Sequence, residues 1–337
     1  MDNMENVQSA ESTKAPKQEA EHSLAHMPIS FFSVVMGMAG VTIAWEKGQQ
    51  MYNIDLGILN GLLITITALI FAALAAMYIQ KIVKFPDHVS AELNHPVKLS
   101  FFPTIAISFL LLSIALVPIS PIIAKSLWAI GTTSQLGFVL YIVGMWMHQE
   151  HFQVPHMSPA WFIPAVGNVI VPITGMQFGL VELSWFFFSI GIMFWVILMT
   201  IVFYRILFHT PIPARLLPTL FILIAPPAVG FVAYMSLTGE LDSFARILYN
   251  AGLFLTLLLF TQFRRFTKLP FYLSWWAYSF PIAAITIATM VMYQHTQKAA
   301  FMWLSSGLLV FVTVLVGMLL VRTGIAMANH EICVEEG

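Results

Sequence analysis

The stretch LLPTLFILIAPPAVGFVAYMSL, residues 216–237, contains no acidic or basic side chain. About 20 mostly apolar residues are enough for a helix to cross the hydrocarbon core of a bilayer. The apolar residues are continuous rather than alternating, which favours a spanning helix over a strand of a membrane barrel. Pro218 lies in the first turn, and Pro226 and Pro227 follow about two turns later. The stretch therefore predicts a membrane helix with an irregular backbone.

The composition of the whole chain agrees with this prediction. Of the 337 residues, 59% are hydrophobic and 9% are charged, and the mean hydropathy is +0.84. A soluble domain carries about 25% charged residues, so this chain cannot cover itself with a polar surface. The composition excludes a soluble enzyme, a disordered protein and, with Cys333 as its single cysteine, a disulfide scaffold. A net charge of −1 gives no field to attract nucleic acid.

Ten apolar stretches are long enough to be spans, and polar or proline-bearing breaks separate them. We therefore predict an all-α integral membrane protein with ten transmembrane helices in a domain over residues 27–328. Residues 1–26 are polar and acid-rich, which predicts a disordered tail; residues 329–337 form a short C-terminal tail. The predicted spans are 28–45, 55–80, 99–118, 122–147, 162–180, 183–208, 216–237, 243–263, 271–293 and 299–327.

The distribution of lysine and arginine predicts the orientation. With ten spans, eleven of the 15 basic residues fall on the side that holds both termini and four fall on the other. Basic residues in short loops concentrate on the cytoplasmic side. Both termini are therefore predicted to be cytoplasmic, in a multi-pass protein of the cell membrane.

A proline recurs near the start of each odd-numbered span, although the last of the five lies deeper in its span. The even-numbered spans lack this pattern almost completely. The pattern predicts five helical hairpins, each with an irregular inner helix and a lipid-facing outer helix, because irregular backbone at membrane depth must be buried or line an aqueous cavity. The alternative is that these prolines only start helices, where the missing N–H costs nothing. The recurring prolines are Pro28, Pro103, Pro164, Pro218 and Pro281.

Almost all charged residues lie in predicted loops and tails, so we expect a pathway without fixed ionised groups. This argues against a proton relay or a voltage-sensing arginine ladder. The polar cluster His148, Glu150, His151 and His156 lacks the spacing of a zinc protease, and we interpret it as interfacial. No motif for nucleotide binding or covalent catalysis occurs. We expect a protein that is not an enzyme and that has no cofactor and no metal.

Five segments resemble one family, the slow-type anion channels and their tellurite-resistance and dicarboxylate-transporter relatives. These segments occur in the expected order over most of the membrane region. The most specific is SWWAYSFP (274–281). The others are GMAGVTIAW (37–45), HPVKLSFF (95–102), FYRILFHTPIP (203–213) and LLPTLFILIAPP (216–227).

The resemblance implies a homotrimer in which each subunit has five hairpins around its own pseudo-fivefold central pore. It further implies that Phe280 blocks the pore and that Ser33 and Gly37 are the small residues opposite the gate. Of the residues that precede the five repeated prolines, only Phe102 and Phe280 are aromatic, which is compatible with a plug. The alternative is that Phe280 is ordinary packing in a chain with 28 phenylalanines. The other pore-lining candidates are Phe101, Phe102, Pro103, Pro164, Pro218 and Pro281.

Two functions follow from these observations. The first is a passive channel for small inorganic anions, chloride and nitrate foremost, whose partners are those anions, the lipid bilayer and two further copies of the chain. The second is a proton-coupled transporter of a dicarboxylate, sulfite or tellurite, which would need a titratable group in the pathway. A membrane enzyme or receptor would need a catalytic constellation or a folded soluble region, and the sequence shows neither.

Overall fold

The computed structural model describes residues 24–148 and 152–333, and this part of the chain contains helices and no strand. The predicted disorder of residues 1–26 falls mostly on residues outside it. The α-helices are α1 (Phe32–Tyr52), α2 (Gly57–Lys84), α3 (Pro86–Asn94), α4 (Thr104–Leu116), α5 (Pro121–His148), α6 (Phe162–Val166), α7 (Val171–Gly175), α8 (Val181–Phe208), α9 (Ala225–Thr238), α10 (Ser243–Thr261), α11 (Phe263–Phe266), α12 (Ser279–Thr296) and α13 (Ala299–Ala328).

Nine helical segments in the described residues are long and apolar enough to cross a membrane, rather than the ten predicted. The exception is the predicted span 162–180, where the structure has a shorter apolar segment, Pro159–Gly175. The nine are Ile29–Tyr52, Gly57–Lys84, Lys98–Leu116, Pro121–His148, Val181–Phe208, Ala214–Thr238, Ser243–Thr261, Leu273–Thr296 and Ala299–Ala328.

The short segment is broken because Pro164 and Pro172 interrupt its helical hydrogen bonds. Helices α6 and α7 are joined by a 3-10 turn, Gly167–Ile170. Side chains of α5 satisfy carbonyl groups at the break. The Gln135 amide donates to the Pro164 carbonyl at 2.8 Å, and the Trp128 indole donates to the Val171 carbonyl at 2.9 Å. The interruption is therefore supported by a neighbouring helix.

Burial divides the segments into two sets. In four of the long segments, 72–78% of the apolar window is buried inside the protein, and in the other five the share is 17–39%. We call the first four, together with Pro159–Gly175, the inner segments, and α2, α5, α8, α10 and α13 the outer helices. The outer helices carry exposed apolar side chains such as Ile58, Leu140 and Val314, as contact with lipid requires. The inner segments are Ile29–Tyr52, Lys98–Leu116, Pro159–Gly175, Ala214–Thr238 and Leu273–Thr296.

The inner segments pack in a closed ring. Helix α1 contacts α4, α4 contacts α7, α7 contacts α9, α9 contacts α12, and α12 returns to α1. Each outer helix packs on the inner segments that precede and follow it in the chain, and α13 completes the series by contacting α12 and α1. The chain thus alternates between the ring and its periphery.

Every inner segment contains 3-10 helix, and among the described residues no outer helix does. One run, Ala214–Ile224, extends over 11 residues and contains Pro218. Runs longer than three or four residues are uncommon because 3-10 hydrogen-bond geometry is poor. The irregular backbone predicted from the prolines therefore lies on the ring. The runs are Ile29–Phe31, Lys98–Phe101, Pro159–Trp161, Gly167–Ile170, Ala214–Ile224 and Leu273–Tyr278.

A short turn outside the membrane-spanning segments connects α9 to α10. Helix α9 ends at Thr238 and is followed by Gly239, whose φ of 72° suits a residue without a side chain. The Asp242 carboxylate then caps α10 by accepting a hydrogen bond from the Ala245 N–H at 2.8 Å. This bond and a second one from the Tyr234 hydroxyl hold the pKa of Asp242 below its usual range. The turn fixes the end of one inner segment against an outer helix.

The broken segment gives a stability prediction. Replacing Gln135 with leucine removes the shorter of two side-chain hydrogen bonds to the Pro164 carbonyl, the other coming from the Asn168 amide at 3.4 Å. Loss of one such bond costs about 0.5–1.5 kcal/mol. We expect Q135L to lower the midpoint of thermal unfolding in detergent, measured by tryptophan fluorescence. Ser126→Ala, at an exposed position of the same helix, is the control and should unfold like the wild type. Equal midpoints for Q135L and the wild type would contradict the assignment.

Candidate functional site

A wide cavity of about 630 Å³ occupies one end of the ring. All five inner segments contribute to its wall, with Ser33, Phe101, Ile163, Thr219 and Phe280 as one example from each. Ala25 and Cys333 also line it, so it lies at the side where the described chain begins and ends. Five of the six 3-10 runs in the inner segments supply residues to this wall, and Pro159–Trp161 is the exception.

A small cavity of about 50 Å³ lies beyond it, and every residue of its wall is apolar. Each inner segment again contributes. The wall residues are Gly40, Ile43, Leu111, Ile114, Ile170, Ile173, Val229, Val232, Phe280, Ala284 and Ile287. The axis of the ring therefore passes from a wide chamber into a narrow apolar one.

Three residues line both cavities, namely Ile170, Val229 and Phe280. They mark the boundary between the two spaces, and Phe280 has the largest side chain of the three. Its position follows from the local sequence, since Pro281 follows it in the first turn of α12. Phe280 is half-buried, as expected for a ring that faces cavities on both sides.

Two glycines of α1 let this helix approach α12 closely. A Cβ at Gly40 would lie 2.8 Å from the Ala283 Cβ, which is closer than two side-chain carbons can pack, and 3.4 Å from the Phe280 ring. A Cβ at Gly37 would lie 2.8 Å from the Ser279 Cβ. Gly40 thus lies against the Phe280 ring. It was not among the predicted site residues, although it stands in the motif GMAGVTIAW.

The other predicted small residue, Ser33, lies two turns before Gly40 and lines the wide cavity. Its hydroxyl donates to the Ser30 carbonyl at 2.6 Å. Gly37 is in the wall of neither cavity and serves the contact between α1 and α12.

The remaining predicted residues divide into wall and packing positions. Phe101 and Pro281 line the wide cavity. Phe102 instead packs between the rings of Tyr78 and Phe138, with centroid distances of 6.3 and 6.4 Å. Three of the repeated prolines are buried and line neither cavity: Pro103, Pro164 and Pro218.

The expectation of a pathway without fixed charges is wrong for the wide cavity. Its wall contains three basic and two acidic side chains, and three histidines. The sequence places these residues in loops and at helix ends, but the fold turns those ends toward the mouth of the ring. The expectation agrees only with the wall of the small cavity, which is apolar. The charged and histidine wall residues are Lys81, Lys98, Arg215, Glu92, Glu331, His26, His88 and His95.

One ion pair in this wall is almost completely buried. The Lys81 Nζ lies 3.1 Å from the Glu92 Oε2, and the two side chains are 2% and 8% exposed. Lys81 also donates to the Met27 carbonyl at 2.7 Å, and the Tyr78 hydroxyl donates to the same Glu92 oxygen at 2.7 Å. The pair joins the end of α2, the short helix α3 and the entry to the first inner segment.

In the part of the chain that the structure describes, no group of three or more His, Cys, Asp or Glu side chains could hold a metal ion. Glu150 and His151 of the polar cluster noted in the sequence lie outside the described residues.

Comparison with known proteins identifies the family. Residues 26–324 match the model of the SLAC1 family, described as a voltage-dependent anion channel. The chain belongs to the SLAC1 family. This confirms the family predicted from the five motifs, and it gives the protein a family-level role in anion transport across a membrane.

Three relatives illustrate the breadth of the family. An uncharacterized transporter of Methanocaldococcus jannaschii is 28% identical over 289 residues, which cover 79% of this chain and 84% of the relative. The S-type anion channel SLAH2 of Arabidopsis thaliana is 28% identical over 85% of this chain. The tellurite resistance protein TehA homolog of Haemophilus influenzae is 25% identical over 88% of this chain and 90% of its own length. The matched region covers 56% of the length of SLAH2.

The contact between Gly40 and α12 gives a second prediction. A methyl group at position 40 must push α1 away from Ala283, and overpacking of this kind costs about 1–3 kcal/mol. We expect Gly40→Ala to lower the thermal midpoint and to change transport, because the displaced helix borders Phe280. Gly307→Ala is the matched control, since a Cβ there meets no atom within 4 Å. A Gly40→Ala variant as stable and as active as Gly307→Ala would contradict this packing.

Proposed function

We propose that this protein is a passive channel for small inorganic anions, chloride and nitrate foremost, and that Phe280 occludes its pore. The single observation that carries the proposal is the position of Phe280, the only aromatic residue among the three that line both cavities. A ring at the boundary between a wide chamber and a narrow apolar one obstructs passage between them. Movement of this ring would join the two spaces. The proposed role is transport and not catalysis.

The proposed architecture is five helical hairpins around a pseudo-fivefold pore, one pore in each subunit of a homotrimer. The closed ring of inner segments and the outer helix between each neighbouring pair support the hairpins. The trimer, the location in the cell membrane and the cytoplasmic position of both termini rest on the family resemblance and on the distribution of basic residues. In this orientation the wide cavity opens to the cytoplasm.

The basic side chains of the wide cavity and the apolar wall of the small one support conduction of anions. Basic side chains in the wide cavity raise the local concentration of anions. The apolar wall of the small cavity offers no replacement for water, so an ion crosses more easily when it loses its hydration cheaply. We therefore propose that nitrate and the larger halides pass at least as readily as chloride.

A proton-coupled carrier is the second candidate, for a substrate such as a dicarboxylate, sulfite or tellurite. The name of the Haemophilus influenzae relative refers to tellurite resistance. Glu92, Glu331 and the three histidines of the wide cavity are titratable groups that a carrier would need. A relay through these groups would end at Phe280, because the wall of the small cavity carries no titratable side chain.

The gate is tested by replacing Phe280 with alanine. We expect F280A to raise the anion current in oocytes or planar bilayers by roughly tenfold or more, since each 1.4 kcal/mol removed from a barrier gives about a tenfold change in rate. Phe311→Ala is the matched control, because Phe311 packs on Phe260 and lines neither cavity. An F280A variant that reaches the membrane in normal amount with unchanged current would refute the gating role.

Ion and proton gradients separate the channel from the carrier. In liposomes with opposed chloride and proton gradients, we expect the F280A current to reverse at the chloride equilibrium potential at every proton gradient. Replacing chloride with nitrate should leave the current equal or increase it. A reversal potential that moves with the proton gradient would instead establish coupled transport.

A further inference from the structure

The buried pair Lys81–Glu92 is unusual for a cavity that receives anions. Lys81 lies in the last turn of α2 and Glu92 in the last turn of α3, and both side chains line the wide cavity. The pair therefore puts a fixed negative charge into the wall of a chamber that, under the proposed function, must admit negative ions.

The geometry holds Glu92 against Lys81. A lysine ammonium has three N–H donors, and the Met27 carbonyl and the Glu92 carboxylate accept two of them. The Tyr78 hydroxyl donates to the Glu92 Oε2 that faces Lys81, and the Lys81 Nζ lies 5.5 Å above the Tyr78 ring. Because the carboxylate has two anchors, its charge stays at one point of the cavity wall.

The chemistry of the contact resembles that of an occupied anion site. A carboxylate oxygen at 3.1 Å from a buried ammonium takes the position that chloride or nitrate would take on the same N–H groups. Burial makes an unpaired ammonium costly, and an anion from solution could compensate its charge in place of the carboxylate. The other basic side chains of the wall, Lys98 and Arg215, add to the attraction.

We propose that Lys81 is a binding point for small inorganic anions in the wide cavity, and that the Glu92 carboxylate is a built-in competitor that sets its affinity. The inference rests on the proposed anion pathway and identifies a residue that tunes it. With Glu92 in place, a permeating anion meets a weak site and leaves it quickly, as conduction requires. Without the carboxylate charge, the anion is held at Lys81.

The test measures anion binding without relying on current. The purified full-length protein is unfolded thermally in detergent while chloride replaces gluconate at constant ionic strength. A ligand that binds only the folded state stabilises it by RT ln(1 + [L]/Kd), so the dependence of the midpoint on chloride concentration gives the dissociation constant for chloride. We expect E92Q to lower this dissociation constant about fivefold, because one buried opposing charge has been removed.

Three further variants separate anion binding from a purely structural ion pair. The double variant K81M/E92Q removes both charges and should lose the increase in chloride affinity that E92Q gives. Asp87→Asn removes an exposed carboxylate from the same short helix and should behave like the wild type. Tyr78→Phe keeps both charges but frees Glu92 from one anchor, so it should shift the chloride response about twofold in the direction of E92Q. Tyr78→Phe therefore tests the proposal even if E92Q fails to fold.

The proposal is overturned if E92Q and K81M/E92Q respond equally to chloride, or if E92Q and Tyr78→Phe, both folded, respond like the wild type. Currents from the same variants in the F280A background distinguish this result from failure of the proposed function. A shifted chloride response without anion current in any variant would retain the binding site and reject the channel. Anion current without a shifted response would retain the channel and reject the role of Glu92.

Discussion

The absence of water in the hydrocarbon core of the bilayer constrains every backbone polar group in this protein. A regular helix meets this constraint by itself, and the outer helices do so with apolar surfaces toward lipid. The inner segments contain prolines and 3-10 runs, and their freed carbonyl groups need donors from elsewhere in the protein. Gln135 and Trp128 supply such donors to the broken segment Pro159–Gly175. The irregular segments must therefore be surrounded by regular ones.

This requirement explains why the irregular segments form the centre of the protein, around the two cavities. Five segments with irregular backbone surround the axis of the ring, and both cavities lie between them. Glycines control how much space remains. Gly40 brings α1 against Ala283 and Phe280, and the passage there is a cavity of only about 50 Å³. Where the glycine contact ends, the ring opens to about 630 Å³.

The sequence predicts the membrane helices well because hydropathy depends only on local composition. The prolines that break the fifth segment are visible in the sequence, but the side chains that satisfy its carbonyl groups, Gln135 and Trp128, come from another helix and could not be assigned from it. The charged wall of the wide cavity was missed for a similar reason. Lys81, Glu92 and Lys98 read as loop or helix-end residues, and only the tertiary fold turns them inward. Gly40 was within reach of the sequence, because it lies one turn after Gly37 on the same helix.

Under the proposed function, the two cavities act on a permeating anion through different physical effects. In that function, anion occupancy of the wide cavity depends on charge, through Lys81, Lys98 and Arg215 and the carboxylates that oppose them. In the small cavity there is no charged or polar side chain, so the barrier depends on the cost of removing water and on the volume of the Phe280 ring. Electrostatic attraction falls off with salt, whereas dehydration of an ion in an apolar passage does not. The proposed function therefore assigns anion affinity and anion selectivity to separate residues, which can change independently of one another.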